Sequence, residues 1–267
     1  MNAIRPPAVA GAFYPGDPPT LTATVDRLLA AAETTSPVHP KALIVPHAGY
    51  IYSGPMAARG YASLLPQAGQ IRRVILLGPT HRVAVHGIAL PEATVFATPL
   101  GNIRLDAQAI ARLADLPQIV FSDAVHAFEH SLEVHLPFLQ RLLGDFTLVP
   151  LAVGHAMPEA VAEVLDTLWG GPETLIVVSS DLSHFLPYAT AQQVDSHTCR
   201  RILQLDTDIH PEQACGAFPI NGLLLAARRR GLQASLLGLC NSGDTAGDRE
   251  RVVGYAAIAF SEGGQHD

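Results

Sequence analysis

Four short apolar runs in this sequence end in side chains that can bind a metal or move a proton. KALIVP (41–46) stops at His47 and RRVILLGPT (72–80) at His81; TLIVVSSD (174–181) runs through Asp181 to His184, and SLLGLC (235–240) closes on Cys240. One such histidine would be read as a capping or hydrogen-bonded side chain. Three histidines, an aspartate and a cysteine at four strand-like ends define a candidate site, because open α/β sheets gather function at the carboxyl ends of their strands. Two imidazoles and a thiolate form a borderline-to-soft ligand set, suited to iron(II), copper or zinc rather than magnesium or calcium. With His47, His81 and Cys240 as ligands one coordination position stays open to water, dioxygen or substrate. An imidazole titrates near neutral pH, so His184 suits a proton-transfer role beside such an ion.

The stretch EHSLEVHLP (129–137) is polar for a segment that leads into an apolar helix. On a helix Glu129 and Glu133, or His130 and Glu133, would share a face. Its readings are a solvated helix entrance or a set of side chains that orient a metal-bound histidine or a substrate. His39, His86, His126, His155, His197, His210 and His266 have no strand-end placement and read as surface or structural, and Cys199 and Cys215 read as ordinary small residues. Gly49, Gly54 and Gly78 form no phosphate-binding pattern and read as residues permitting tight turns.

The elements that must position these groups alternate. Strand-like runs at 41–46, 72–79, 146–154, 174–181, 235–240 and 251–260 are separated by helix-like segments at about 54–65, 106–114, 131–143, 158–169, 188–205 and 219–230. A first amphipathic helix opens behind Asp17-Pro18-Pro19, where Leu21, Val25, Leu28, Leu29 and Ala32 recur at helical spacing. The alternation predicts an α/β fold: a single domain over 1–267 with a mainly parallel central sheet flanked by helices. Residues 82–105, with GIALP and TVFATPLGNIRL, predict a small extra hairpin beside it.

Of the 267 residues, 48% are hydrophobic and 15% charged, which excludes disorder and calls for a large core. A formal net charge of -7 argues against nucleic acid as a partner. Three cysteines without paired or CxxC spacing fit a reducing, cytoplasmic setting. Prolines near the start break up any signal-peptide core, and no apolar run reaches membrane-spanning length.

VAGAFYPGDP (9–18), VPHAGYIYSG (45–54), LLGPTHR (76–82), EHSLEVHLPF (129–138), VVSSDLSHF (177–185) and LCNSGD (239–244) occur in that order. Together they resemble the MEMO family, called AmmeMemoRadiSam system protein B in prokaryotes, over nearly the whole chain. That family is related to the class III extradiol dioxygenases, so the resemblance implies a class III extradiol dioxygenase-like fold around one non-haem metal ion. It implies that His47 and His81 are metal ligands, that Cys240 stands where the dioxygenases place a carboxylate, and that His184 is an acid/base histidine. Asp181, Tyr52, Phe13 and Tyr14 would line the pocket by the same comparison, with His130 and Glu133 as further substrate-side groups. A thiolate in place of the carboxylate shifts the expected ion toward softer metals, so dioxygenase chemistry is not carried over with the fold.

Three functions are compatible with these residues. The first is an iron- or copper-dependent redox enzyme acting on a small, planar molecule. The second is a non-catalytic protein that holds a metal or a peptide in the same pocket. The third is a zinc hydrolase with His184 or Glu133 as base. The family name also implies a functional link to radical SAM and AMMECR-type proteins.

Overall fold

The computed structural model describes residues 3–33 and 39–263. The first half of the chain forms β1 (Ile4–Arg5), α1 (Pro18–Ala31), β2 (Ala42–Val45), α2 (Tyr50–Ala62), β3 (Arg73–Pro79), β4 (Ile88–Leu90), β5 (Val95–Thr98), β6 (Gly101–Arg104), α3 (Ala107–Ala111), β7 (Ile119–Phe121) and α4 (Asp123–Ala127). There follow α5 (Leu136–Leu143), β8 (Thr147–Val153), α6 (Pro158–Leu168), β9 (Thr174–Ser179), β10 (His184–Leu186), α7 (Tyr188–Leu203), α8 (Ala217–Arg229), β11 (Leu232–Asn241) and β12 (Val252–Glu262).

The main sheet runs β10-β12-β2-β9-β3-β8-β4-β7, with β11 also paired to β12. Its centre, β2-β9-β3-β8, is parallel. Both flanks turn antiparallel, β12 against β2 and β4 against β8, so the sheet is mixed rather than mainly parallel. The reason is connection length: β11 reaches β12 through the short 242–251 segment, too short for a helical crossover, and therefore returns antiparallel. Of the expected extra hairpin, only β5 and β6 form one, and they join β1 in a three-stranded sheet. The GIALP run instead becomes β4, buried between β8 and β7 in the main sheet.

The central strands carry no polar face because both faces are covered. Ile44, Ile75, Leu77, Val149, Leu151, Ile176 and Val178 face a core completed by α6 and α8. The alternate residues Leu43, Val45, Val74, Leu76, Leu148 and Val177 face a second core that includes Leu21 and Val25 of α1, Tyr61 of α2 and Phe138 of α5. Period-two alternation thus distributes one apolar run between two cores. α1 starts where Asp17 caps it, its carboxylate accepting the Thr20 N–H at 3.0 Å. α2 lies close on β2 because Gly60 has no side chain: a Cβ there would stand 2.4 Å from Val45 Cγ1. That close packing fixes the segment carrying His47. No helix among the described residues is long and apolar enough to cross a membrane.

Candidate metal centre

His47 follows the end of β2 and is 2% exposed. Its backbone N–H donates to Asp181 Oδ1 at 2.8 Å, and its Nδ1 lies 2.6 Å from Ser179 Oγ. The single Ser179 hydroxyl proton goes to the Ser131 carbonyl at 2.6 Å. Ser179 can therefore only accept from the ring, which places the imidazole proton on Nδ1 and leaves the Nε2 lone pair free. Burial, reinforced by the neighbouring imidazoles of His81 and His130, holds the ring neutral, well below the usual histidine range.

His81 follows β3 at the same sheet edge. Its Nδ1 lies 2.9 Å from Glu129 Oε1, so this ring too carries its proton on Nδ1 and presents Nε2. Burial alone would raise the Glu129 carboxyl. Donors from the His81 ring and backbone and from the Ser131 N–H outweigh it and hold the group at about 2, fully ionised at neutral pH. A carboxylate behind an imidazole is the arrangement that fixes a metal-ligating histidine and raises its basicity.

His130 completes the group. Its ring stacks on His81 at 4.7 Å between centroids and meets His47 edge-on at 5.4 Å. Burial pushes it down to about 4, although Glu129 acts in the opposite direction. Its buried Nδ1 has no hydrogen-bond partner. It can come this close because residue 78 is glycine: a Cβ there would stand 2.8 Å from Ser131 Oγ and 2.9 Å from Leu132 Cδ2. Gly78 thus serves close approach of the 129–132 segment rather than a tight turn.

One ligand nitrogen from each of His47, His81 and His130 lies within 4.8 Å of the others. A tetrahedral ion with bonds of about 2.1 Å sets its nitrogens about 3.4 Å apart, so a modest closing of the three rings seats one. Three imidazoles, two with defined tautomers and the third with an unpartnered nitrogen, fit zinc, copper or iron(II) and leave room for a further ligand.

Cys240 stands outside this group. It sits on β11 opposite Tyr255 of β12, and β12 lies between β11 and β2. Two strand spacings, about 10 Å, separate its strand from that of His47, although both run toward the same edge. Its sulfur packs instead in a small cluster with Met56, Tyr255 and Ala257 and borders a cavity of about 570 Å³ lined by Gln192, Asp195, Arg200 and Asp244. That cavity and another beside Lys41 and Trp169 do not include the three imidazoles, and the donor geometry marks the site.

Glu133 and Tyr14 are buried and bonded to each other. The Glu133 carboxylate is completely buried and accepts from Arg5 Nη1 at 2.5 Å, Ala8 N at 2.7 Å, Val9 N at 3.0 Å and the Tyr14 hydroxyl at 2.6 Å. It ties the N-terminal segment to the 129–137 stretch and has no oxygen left for substrate. That segment is a 3-10 turn, Glu133–His135, leading into α5, and Glu133 bonds to Arg5 and Tyr14 while the His130 ring stacks on His81. Phe13, by contrast, lies against His130 at 4.8 Å, and Tyr52 is 36% exposed at the start of α2.

Asp181 belongs to His47 rather than to His184. Its Oδ2 is 3.9 Å from His47 Nε2, and burial raises its carboxyl to about 7 against the opposing N–H groups of His47 and Ala48. His184 is oriented by the Leu182 carbonyl, 2.8 Å from its Nδ1, which leaves Nε2 available. Partial burial and the neighbouring His81 lower its pKa. The next residue, Phe185, is exposed with φ +59°, a conformation that non-glycine residues adopt only when the surroundings impose it. Cys215 enters the site unannounced, its Sγ 3.4 Å from His47 Nε2. Burial, with Asp181 beside it, pushes its thiol up to about 12. Among the other histidines, His126 is structural, its Nε2 2.9 Å from the Ala89 carbonyl, while His266 lies outside the described residues.

Sequence reasoning gave His130 a substrate-side place and Cys215 none. The Glu-His pair at 129–130 and the position of Cys215 directly before a helix start were the available signals.

Fold and site define a class: a mixed α/β protein whose strand ends gather histidines able to hold one metal ion. A profile of the Memo-like protein family matches residues 5–259. The chain belongs to that family. A MEMO1 family protein of Ignicoccus hospitalis is 37% identical over 283 residues, covering 96% of this chain and 98% of that protein. Relatives from Archaeoglobus fulgidus and Aquifex aeolicus, also called MEMO1 family proteins, are each 34% identical and cover 96% of this chain and 99% of their own length. A crystal structure of an uncharacterized Escherichia coli K12 protein superposes with a TM-score of 0.51 at 14% identity, covering 81% of this chain and 98% of that one, a likeness of fold alone.

Proposed function

We propose that this protein is a metal-dependent enzyme of dioxygenase-like type, with one iron or copper ion on His47, His81 and His130 and a small planar molecule as substrate. The observation that carries the reading is the convergence of three ligand nitrogens within 4.8 Å, two of them on rings with fixed tautomers. When bound, the ion would supply Lewis-acid and redox chemistry at its open positions. The chain's own residues do the rest. Glu129 and Ser179 hold the His81 and His47 rings, and His184, its Nδ1 on the Leu182 carbonyl, takes or returns a substrate proton through Nε2. Phe13 and Tyr52 offer flat apolar surface beside the imidazoles. Glu133 is removed as a candidate base because its oxygens are all engaged.

A second reading, a non-catalytic binding protein, draws support from Phe128 and Phe185, which are 73% and 59% exposed and flank site residues in sequence. Anaerobically purified protein is to be analysed for metal and then given oxygen with a panel of catechols. One equivalent of iron or copper, lost in His47→Ala, His81→Ala and His130→Ala, with oxygen uptake, supports the enzyme. Stoichiometric metal without turnover across the panel favours the binding reading, and absence of metal affinity overturns both.

A further inference from the structure

His155 is a further strand-end histidine of the main sheet. It stands two residues past Val153, the end of β8, and β8 runs parallel beside β3, whose end leads to His81. Its backbone is clasped to the loop that follows His81: the His155 N–H donates to the Val85 carbonyl at 2.8 Å, and its carbonyl accepts the Gly87 N–H at 2.9 Å. His86 is thereby set directly opposite His155 in a parallel bridge. Two glycines permit this approach. A Cβ at Gly154 would collide with the Val85 oxygen, and one at Gly87, where φ is +101°, with the Gln118 oxygen. Residues opposite each other in a bridge send their side chains to one face. Here both imidazoles are exposed, with ring centroids 6.0 Å apart. The rings make aromatic contacts, with each other and, from His155, with Phe218 at 5.1 Å, and no nitrogen of either is bonded to another described residue.

We propose that His86 and His155 form a second metal site, an exposed one for a borderline divalent ion such as copper(II) or zinc(II), with water completing the coordination. Neutral imidazoles select these ions over magnesium or calcium. Two imidazoles bonded to one ion at about 2.1 Å hold their centroids about 4.5–5.2 Å apart. A closing of about 1 Å, within the torsional freedom of exposed histidine side chains on a fixed backbone, seats the ion. Two protein ligands hold it more weakly than the buried centre would, so the ion exchanges with solvent. The pair stands one strand along from His81 at the same sheet edge, which places exchangeable ions beside the centre. The inference does not rest on the metal reading above, because none of the three imidazoles of that centre takes part.

The probe is copper(II) iminodiacetate, whose chelator takes three positions of the ion and leaves the rest to the protein. His81→Ala is the parent, since it dismantles the other place where imidazoles stand side by side. Electron spin echo modulation from the remote ring nitrogens counts the bound imidazoles, and titration gives the affinity. Two imidazoles on one ion are expected in the parent. Adding His86→Ala or His155→Ala is expected to leave one imidazole and weaken binding about tenfold or more, because the second ligand no longer acts at high effective concentration. In otherwise wild-type protein, replacing both residues is expected to remove one bound chelate, which keeps the test open if His81→Ala does not fold. A single imidazole in the parent, affinity unchanged by either substitution, or a two-imidazole signal that survives both overturns the proposal.

Discussion

Glu129 holds His81 at two points: Oε2 accepts the His81 backbone N–H at 2.5 Å, and Oε1 lies 2.9 Å from the ring Nδ1. The same Oε1 also accepts the N–H groups of His130 at 3.0 Å and Ser131 at 2.9 Å. One ionised carboxylate therefore orients the His81 ring and anchors the backbone of His130. Glu129→Gln replaces one acceptor oxygen by an amide that faces a donor, so affinity for zinc or iron(II) is expected to fall about 10- to 100-fold with the fold retained. Isothermal titration of metal-free protein measures this, and wild-type affinity in the variant would remove Glu129 from its bracing role.

Glu133 is expected to matter for stability and not for substrate. Its ion pair with Arg5 has side chains only 0% and 5% exposed, so Glu133→Ala leaves a buried guanidinium unpaired. The expected loss is about 3–5 kcal/mol in denaturant unfolding. A stability within about 1 kcal/mol of wild type would contradict the anchoring role.

Gly78→Ala separates packing from chemistry, because residue 78 ligates nothing yet sets the distance from β3 to the segment bearing His130. The added methyl group meets Ser131 and Leu132 and costs about 1–3 kcal/mol. Displacement of His130 should weaken metal binding by at least about tenfold. Metal stoichiometry and thermal unfolding on the same sample check both, and unchanged metal affinity would show that His130 is not positioned this way.

His184→Ala should keep its metal and lose about 10²-fold or more of any turnover found, as expected for removal of an acid/base group. Metal content measured beside rate distinguishes the outcomes. Loss of the ion with the fold intact would make His184 a ligand.

Asp195 provides a pH signature away from the imidazoles. It is 1% exposed, accepts the Ser183 N–H at 3.0 Å, and is raised by burial to about 6. An aspartate in the unfolded chain titrates near pH 3.9. The folded state therefore holds the proton more tightly; that stabilisation is complete below about pH 4 and is lost as pH rises through 6. Asp195→Asn mimics the protonated acid, so the difference in unfolding temperature between variant and wild type should shift toward the variant across pH 4 to 6 and then level off. A difference constant with pH would show that Asp195 does not titrate in this window.

Sequence alone determined the strand and helix alternation, because central strands buried on both faces read as unbroken apolar runs, and it placed His47 and His81 at the ends of two of them. It also carried the family pattern in PHAGY, GPTH and EHSLEVHLP. Sheet order was not legible, since pairing is set by contacts between runs far apart in the chain. That is why Cys240, at the right edge by direction, is held away from His47 by the intervening β12. The tertiary structure decided the third imidazole: His130 joins His81 only because Gly78 lets a distant segment close on the strand. It likewise decided that Cys215, 168 positions from His47 in sequence, is the thiol that meets it. Local pattern records which face a residue presents, whereas convergence of ligands is a property of packing, which no single segment encodes.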